Sequence, residues 1–231
     1  MLTLENLRIL MDDFTLGANW SVEAGTRLAI IGPSGAGKST LLLAIAGFVP
    51  LAGGQIRWAG QDIAALAPGD RPLSVLFQDQ NLFPHLTVTQ NLGLGLSPRL
   101  ALTHQQQGQI ATALVRVGLA DMGARKPGAL SGGQQGRVAL ARALLRSRPI
   151  LLLDEPFAAL GPALKTEMLD LVTDVASATG ATVLLVTHDP ADAKRFADQT
   201  VLVANGVAHP PVPTAALFEN PPKALSDYLG S

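Results

Sequence analysis

A glycine-rich segment, placed between an apolar run and a helical stretch, constrains this 231-residue chain more than any other feature. The apolar run at 27–31 predicts a buried strand, and residues 38–47 predict a helix. The segment that joins them matches the G-x4-G-K-S pattern of phosphate-binding loops and reads Gly32-Pro33-Ser34-Gly35-Ala36-Gly37-Lys38-Ser39. Glycines let backbone N–H groups turn inward around phosphates, and the helix N-terminus adds partial positive charge.

The side chains at the end of this loop suit a nucleotide with its magnesium ion. Lys38 would reach the β- and γ-phosphates, Ser39 would offer its hydroxyl to Mg²⁺, and Thr40 lies close by. A glycine-rich turn with a chance lysine is the alternative, but the predicted strand, loop and helix agree with one another. We therefore expect 32–39 and Thr40 to bind the nucleotide.

Two carboxylates follow the apolar run at 150–153, at the end of another predicted buried strand. Asp154 would hold the metal ion through water, and Glu155 would polarise the water that attacks the γ-phosphate. The alternative is that the two acids cap a helix after Pro156. Beside a phosphate-binding loop, the pair indicates ATP hydrolysis instead.

Two further strand ends carry polar side chains. His188 follows the predicted strand at 182–186, which should neighbour the Asp154 strand, so its ring can face the γ-phosphate. Gln78 follows the strand at 73–77, and its amide can reach the metal ion or the attacking water; alone, it would be a polar loop residue. Ligands of parallel sheets bind at the carboxyl ends of strands, so we expect both near the phosphates.

A second anion site is predicted at Leu130-Ser131-Gly132-Gly133-Gln134. Ser131 opens a helix whose exposed N–H groups, dipole and serine hydroxyl make an anion site. Ser131 and Gln134 also fit a capping box, and we expect both properties together. A chain with one phosphate-binding loop needs a second phosphate site if the γ-phosphate is clamped between two subunits. The motif therefore predicts a dimer of the protein.

The order of predicted elements indicates an α/β fold with a mostly parallel sheet wrapped by helices. Two strands with a turn near Asp12-Asp13 fill the first thirty residues, and Gly53-Gly54 predicts a turn before a strand at 55–58. Strand signals disappear from about 79 to 145, which predicts an inserted helical subdomain. Asn205-Gly206 predicts a hairpin turn. The remaining helices are predicted at 87–94, 103–117, 131–147 and 163–178.

Composition excludes several classes of function. The net charge of −1 argues against a nucleic-acid protein that works by broad phosphate neutralisation. Cysteine is absent, which excludes disulfides and thiolate metal sites and fits a reducing compartment. The uncharged stretch 39–56 contains Gly47, Pro50, Gly53 and Gly54, so a buried helix and a turn explain it better than a membrane span.

Together these motifs resemble the ATP-binding subunits of ABC transporters over nearly the whole chain. The resemblance implies a single domain, 1–231, with a P-loop NTPase (RecA-like) core, an N-terminal antiparallel β-subdomain and the helical insertion at about 79–145. It also implies the ligands ATP and Mg²⁺ and a head-to-tail homodimer around two ATP molecules. The motifs that it assigns are Walker A at 32–39, the Q-loop at Gln78, the signature at 130–134, Walker B at 150–154, catalytic Glu155 and the switch histidine His188.

The resemblance implies partners as well. Residues 78–96 should meet transmembrane permease subunits, with a periplasmic binding protein in the full complex. The subunit itself would sit peripherally on the cytoplasmic face of the bacterial inner membrane, with no nucleic-acid partner. The stretches 77–88 and 90–96 are similar to the ATPases of thiamine importers. An importer of another small polar solute (polyamine, iron, sulfate or molybdate) is the alternative, and a soluble non-transport ATPase is a more distant one.

Three positions depart from the family pattern. One is Gly136, where the signature helix commonly has glutamine or arginine, and the other two bear on the nucleotide sites. Met11 stands where an aromatic residue usually stacks on adenine, although Phe14 can substitute for it. Gly161 stands where the D-loop usually ends in an aspartate that links the two sites across the dimer. We therefore expect weaker coupling between the two ATP sites.

Overall fold

The computed structural model describes residues 1–11, 14–77, 81–158 and 160–229. Across these ranges the strands form one mixed sheet. They are β1 (Leu2–Met11), β2 (Phe14–Val22), β3 (Arg27–Ile31), β4 (Gly53–Trp58), β5 (Gln61–Asp62), β6 (Leu73–Leu76), β7 (Ile150–Asp154), β8 (Thr182–Val186), β9 (Gln199–Ala204), β10 (Val207–Ala208) and β11 (Val212–Pro213).

The helices flank this sheet or lie in the insertion between β6 and β7. They are α1 (Lys38–Ala46), α2 (Val88–Gly93), α3 (His104–Arg116), α4 (Gly132–Leu145), α5 (Pro162–Thr179), α6 (Pro190–Phe196), α7 (Thr214–Glu219) and α8 (Lys223–Leu229). Short 3₁₀ turns cover Ala120–Met122 and Pro127–Ala129. Among the described residues, no helix combines the length and the apolar character that crossing a bilayer requires.

One half of the sheet is parallel, in the order β9-β3-β8-β7-β6. Residues of β7 and β8 are almost all buried, as expected for strands covered by helices on both faces. Asp154 pairs with Val186 at the carboxyl ends of these two strands. The ends of β3, β7 and β8 therefore meet at one edge of the sheet, and the predicted α/β class is confirmed.

The other half of the sheet is antiparallel and begins at the N-terminus. Strand β1 pairs with β2 on one side and with β4 on the other, which confirms the predicted antiparallel N-terminal region. The β9–β10 hairpin is also confirmed: Asn205 and Gly206 both adopt positive φ, 52° and 73°, the combination that a type I′ turn requires.

The predicted turn at Gly53-Gly54 is wrong, because both glycines belong to β4. Gly54 has a φ of +85°, and a Cβ there would lie 2.4 Å from the carbonyl oxygen of Asn6. The register of the β1–β4 pair shifts between Glu5 and Arg8, as at a β-bulge. Glycine here serves the close approach of two strands, and not a chain reversal.

The helices of the insertion share a buried cluster of their own, which includes Val88, Leu92, Ile110, Leu114 and Val138. Helix α4 also contributes Ala139 and Leu140 to the cluster beside β7 and α5. It therefore joins the insertion to the parallel sheet. The division into a separate subdomain at about 79–145 stays a prediction.

Helix α1 is held at its C-terminal end by a buried arginine. The Arg71 guanidinium donates to the carbonyls of Ala44 and Ile45 at 2.9 and 2.7 Å, which supplies partners for the last turn. It also donates to the carbonyls of Ala64 and Leu66. These bonds fix the C-terminal end of the helix whose first turn completes the phosphate-binding loop.

Candidate nucleotide site

The phosphate-binding loop connects the carboxyl end of β3 to the first turn of α1. A Cβ on Gly32 would lie 2.1 Å from the carbonyl oxygen of Val203, and one on Gly37 would lie 2.4 Å from Cζ of Phe14. Both glycines have positive φ, 151° and 99°. The loop therefore needs glycine at both ends, for close approach to β9 and to the Phe14 ring.

Lys38 begins α1 with its ammonium group turned back onto the loop. Its Nζ donates to the carbonyls of Gly32 and Pro33 at 2.8 and 2.9 Å. Burial lowers the pKa of Lys38, and the charges of Glu155 and Asp154 partly restore it. A buried ammonium beside neutral carbonyls gains most from an added negative charge, so this position suits a phosphate.

Ser39 and Asp154 touch across the site. The Ser39 hydroxyl donates to Asp154 Oδ1 at 2.8 Å. Burial raises the pKa of Asp154, and the hydrogen bond from Ser39 opposes that rise. A hydroxyl and a carboxylate oxygen at this distance are the hard oxygen donors that Mg²⁺ prefers when phosphates supply further ligands. The two residues therefore fit a magnesium ion.

Glu155 and His188 face each other at the ends of β7 and β8. Glu155 Oε2 lies 3.1 Å from His188 Nδ1, and the Glu155 backbone N–H donates to the carbonyl of Val186. Glu155 has a φ of 44°, an uncommon conformation for a residue with a side chain. The alternative that Asp154 and Glu155 cap a helix after Pro156 is wrong, because α5 begins at Pro162 with Gly161 as its N-cap.

A cleft of about 240 Å³ lies over the phosphate-binding loop. Its lining joins the loop to the Glu155 carboxylate and to the start of β2, and consists of Phe14, Ser34, Gly35, Gly37, Lys38, Ser39, Thr40 and Glu155. Met11 pairs with Phe14 at the end of the β1–β2 hairpin, but its side chain is 45% exposed. Of the two candidates for an aromatic contact with the nucleotide, Phe14 is the one that borders the cleft.

Ser131 and Gln134 form the predicted capping box at the start of α4. The Ser131 N–H donates to Gln134 Oε1 at 2.9 Å, and the Gln134 N–H donates to Ser131 Oγ at 3.3 Å. Ser131 and Gly132 are exposed, whereas Gly133 is buried against Leu164 of α5. These residues are absent from the lining of the cleft as the described part of the chain forms it.

Comparison with known proteins agrees with this geometry. The ABC transporter family profile matches residues 16–158, more than half of the chain. The chain belongs to the ABC transporter family. Within it, the chain is 66% identical over 230 residues to the thiamine import ATP-binding protein ThiQ of Cereibacter sphaeroides, with all of both chains covered. It is 58% identical over 231 residues, again with both chains covered, to the protein of that name from Ruegeria sp..

More distant relatives cover most of the chain as well. The thiamine import ATP-binding protein ThiQ of Escherichia coli is 50% identical over 206 residues, with 89% of each chain covered. Among solved structures, the ATP-binding cassette MJ0796, a dimer in a post-hydrolysis state bound to ADP and Pi, superposes with a TM-score of 0.80. It is 29% identical, and the match covers 93% of this chain and 99% of that one. As a member of this family, the 231-residue chain is therefore an ATP-binding protein and an ATPase.

Gln78, the predicted Q-loop glutamine, lies outside the described residues of this ABC ATPase. Within the described residues, a fully buried asparagine holds the stretch 83–91 together. Asn91 accepts a hydrogen bond from the Phe83 N–H at 2.8 Å and donates to the carbonyls of Phe83 and Thr87. The Phe83 ring is 46% exposed. The segment thus presents an apolar side chain from a fixed backbone.

Sequence reasoning missed the ionic network that holds the loop around His188. Lys165 of α5 binds the carboxylates of Asp189 and Asp192 at 2.6 and 3.0 Å, and the Thr187 hydroxyl donates to Asp192 at 2.7 Å. The hydrogen bond from Lys165 lowers the pKa of Asp189. Thr187 and Asp189 flank His188 in the sequence, and that clustering of polar residues was the available signal.

Proposed function

We propose that this ABC ATPase is the ATP-hydrolysing subunit of a bacterial importer for thiamine or thiamine phosphates. The observation that carries the proposal is the full-length identity to curated relatives that bear the name of a thiamine import ATP-binding protein. An importer of another small polar solute, such as a polyamine, iron, sulfate or molybdate, would use the same site. The names of the relatives therefore support thiamine as the transported solute, whereas the residues of the nucleotide site support ATP hydrolysis.

The phosphate-binding loop and its neighbours would bind ATP with magnesium. Lys38 would contact the β- and γ-phosphates, while the loop N–H groups of 32–39 and the Thr40 hydroxyl hold the remaining phosphate oxygens. Ser39 and Asp154, whose oxygens are 2.8 Å apart, would hold Mg²⁺, and Gln78 would join them. The bound ion supplies positive charge that offsets the charge of the phosphates.

Glu155 would orient the attacking water and accept its proton. The water oxygen forms the new bond to the γ-phosphorus, the bond from that phosphorus to the bridging β,γ-oxygen breaks, and ADP and phosphate leave. His188, 3.1 Å from the Glu155 carboxylate, would contact the γ-phosphate and respond to its presence. Gln78 would contact the same water through its amide.

Two copies would close head to tail around two ATP molecules. Ser131, Gly132, Gly133 and Gln134 of one copy would meet the γ-phosphate held by Lys38 of the other. The exposed start of α4 supports this arrangement, because Ser131 and Gly132 are open to a partner copy and the positive end of the helix dipole attracts an anion. The dimeric state of the cassette bound to ADP and Pi supports it as well.

Residues 78–96 would dock the permease subunits. Phe83 is 46% exposed and Phe48 is 54% exposed, and the ring of Phe48 packs edge-on against Phe77 at 5.7 Å. Exposed aromatic side chains held on an ordered backbone suit an apolar partner helix. We place the subunit peripherally on the cytoplasmic face of the inner membrane, with a periplasmic binding protein on the far side and no nucleic-acid partner.

Uptake of labelled thiamine tests the function. Bacteria that lack their own subunit receive the genes of the cognate permease and binding protein together with this chain or its Glu155→Gln variant. We expect uptake with the wild-type chain and none with the variant, because the variant cannot hydrolyse ATP. Uptake of another solute in place of thiamine would contradict the assignment of thiamine as the transported solute but would still support an importer function. Failure to support uptake of any solute would overturn the importer as well.

A further inference from the structure

The C-terminal helix α8 reaches the loop of the switch histidine. The hydroxyl of Tyr228 donates a hydrogen bond of 2.5 Å to the main-chain carbonyl of His188. Tyr228 is the only tyrosine in the sequence. We propose that Tyr228 is a positioning residue for ATP hydrolysis, which fixes the His188 peptide so that the imidazole stays within reach of Glu155. The inference rests on the roles of His188 and Glu155 proposed above.

The base of α8 is rigid enough to aim this hydroxyl. Leu225 is fully buried, in one cluster with Ile31 at the end of β3 and Leu217 of α7. The N–H groups of Leu225 and Ser226 donate to the carbonyl of Pro222 at 2.8 and 2.9 Å. A ring carried one turn beyond a fully buried side chain has little freedom to move away from its acceptor.

Tyr228 also lies beside the nucleotide site. Tyr228 lines a cavity of about 1300 Å³ whose lining also includes Pro33, Ser34, Gly35 and Ala36 of the phosphate-binding loop. Burial raises the pKa of Tyr228, and the negative charges of Glu155 and Asp189 raise it further. The phenol therefore keeps its proton and remains a donor at neutral pH.

The other restraints on the histidine act on its neighbours. Lys165 binds the carboxylate of Asp189, and the Thr187 hydroxyl accepts from the Asp189 N–H at 3.1 Å. The peptide carbonyl between His188 and Asp189 is the group that Tyr228 holds. Without that bond the peptide gains freedom to rotate, and the imidazole spends less time at 3.1 Å from Glu155. Misplacing a group that contacts the reacting phosphate lowers turnover more than it lowers nucleotide affinity.

The test compares variants of the full-length protein in steady-state ATP hydrolysis. Tyr228→Phe keeps the ring and removes the donor, and we expect kcat to fall about fivefold with KM for ATP changed by less than about twofold. Replacement of Tyr228 by p-aminophenylalanine restores an N–H donor at the same ring position, and we expect it to recover most of the lost kcat. The matched control is Asp227→Asn, which changes an exposed neighbour on α8 and should leave kcat and KM unchanged.

Several results would overturn the inference. Unchanged kcat in Tyr228→Phe, a rise of KM in place of a fall in kcat, or no recovery with p-aminophenylalanine each removes the positioning role. Melting temperatures of all variants distinguish a folding defect from a defect in catalysis. His188→Ala is measured in the same series: unchanged kcat there would overturn the proposed role of His188, whereas a large loss there with a neutral Tyr228→Phe would overturn the role of Tyr228 alone.

Discussion

The Ser39 hydroxyl donates a hydrogen bond of 2.8 Å to Asp154 Oδ1, which joins the first turn of α1 to the carboxyl end of β7. The two residues are 115 positions apart in the chain. The contact exists because β3 and β7 run parallel and both end at the same edge of the sheet. It also leaves the Asp154 carboxylate partly buried, and burial disfavours its ionised form. The ionised carboxylate should therefore lower the stability of the folded protein.

Replacement of Asp154 by Asn should stabilise the nucleotide-free protein at neutral pH. Burial raises the pKa of Asp154 in the folded state, so the folded protein binds a proton more tightly than the unfolded chain does. The ionised group therefore disfavours folding above the raised pKa, and this effect disappears as pH falls below the ordinary aspartate pKa of about 4. Melting temperatures should favour the Asn variant at pH 7 to 8 and converge with those of the wild type in acid.

Asp170→Asn is the control with the opposite sign. Its hydrogen bond with Arg195 lowers the pKa of the exposed Asp170 carboxyl, so any contribution to stability is present above the ordinary aspartate pKa and is lost as pH falls through the lowered one. That variant should therefore never exceed the wild type in melting temperature.

In the presence of ATP and Mg²⁺ we expect Asp154→Asn to lose its advantage in melting temperature, because it lacks the proposed metal ligand. An Asp154→Asn protein less stable than the wild type without nucleotide would contradict the electrostatic argument.

Glu155→Gln should separate ATP binding from turnover. The amide keeps the shape of the side chain but cannot accept the proton of the attacking water, so kcat should fall by about a hundredfold or more. ATP should still drive dimerisation, because Lys38 and the loop are intact. Phosphate release and light scattering with ATP measure the two properties. Glu167→Gln removes an exposed carboxylate that pairs with Arg137 and should hydrolyse ATP normally; hydrolysis retained in Glu155→Gln would remove Glu155 from its role.

The sequence allowed the clustering of Lys38, Asp154 and His188 to be predicted because a parallel sheet gathers the ends of its strands. Strong apolar runs located those strands, and each polar residue stands directly after or near the end of one. The type I′ turn at Asn205-Gly206 was predictable for a similar reason, since its residue types belong to that turn. Such features depend on local pattern and on one general rule of topology.

Contacts between distant segments were not predictable in the same way. Lys165 meets Asp189 from a helix 24 residues away, and Tyr228 meets His188 from 40 residues away. Neither pairing has a periodic signal, because each depends on how α5 and α8 pack on the sheet. Gly54 was mistaken for a turn residue because positive φ serves a bulge and a turn alike. Local composition indicated a backbone conformation that needs glycine at this position, but it did not distinguish a β-bulge from a turn.

Phe14 should matter more than Met11 for nucleotide affinity. The Phe14 ring borders the cleft, whereas Met11 is absent from the described lining and is 45% exposed. Phe14→Leu removes the aromatic face and keeps an apolar side chain, so we expect the Kd for ATP to rise about fivefold. Met11→Leu, the matched control, should change Kd by less than about twofold. Titration with a fluorescent ATP analogue measures both, and a larger effect at Met11 would assign the adenine contact to its sulfur.

Gly161→Asp should strengthen both a helix and the link between sites. Gly161 is the N-cap of α5 with φ of −65°, and it has no capping side chain. A Cβ there meets no atom within 4 Å, so aspartate fits and can accept from the first free N–H groups of the helix. We expect the melting temperature to rise by about 1 to 3 °C, whereas Gly161→Ala, which has no capping oxygen, should lower it slightly.

The same pair of variants tests coupling between the two ATP sites. The aspartate restores the acid expected at the end of the D-loop, so the Hill coefficient of ATP hydrolysis should rise in Gly161→Asp and stay at the wild-type value in Gly161→Ala. The two readouts separate the causes, because a cap acts within one copy and raises the melting temperature without ATP. A higher melting temperature with an unchanged Hill coefficient would support capping of α5 by the new carboxylate and would refute its role in coupling the two ATP sites. If Gly161→Asp changed neither the melting temperature nor the Hill coefficient, the new carboxylate would reach neither the N–H groups of α5 nor the other copy's ATP site.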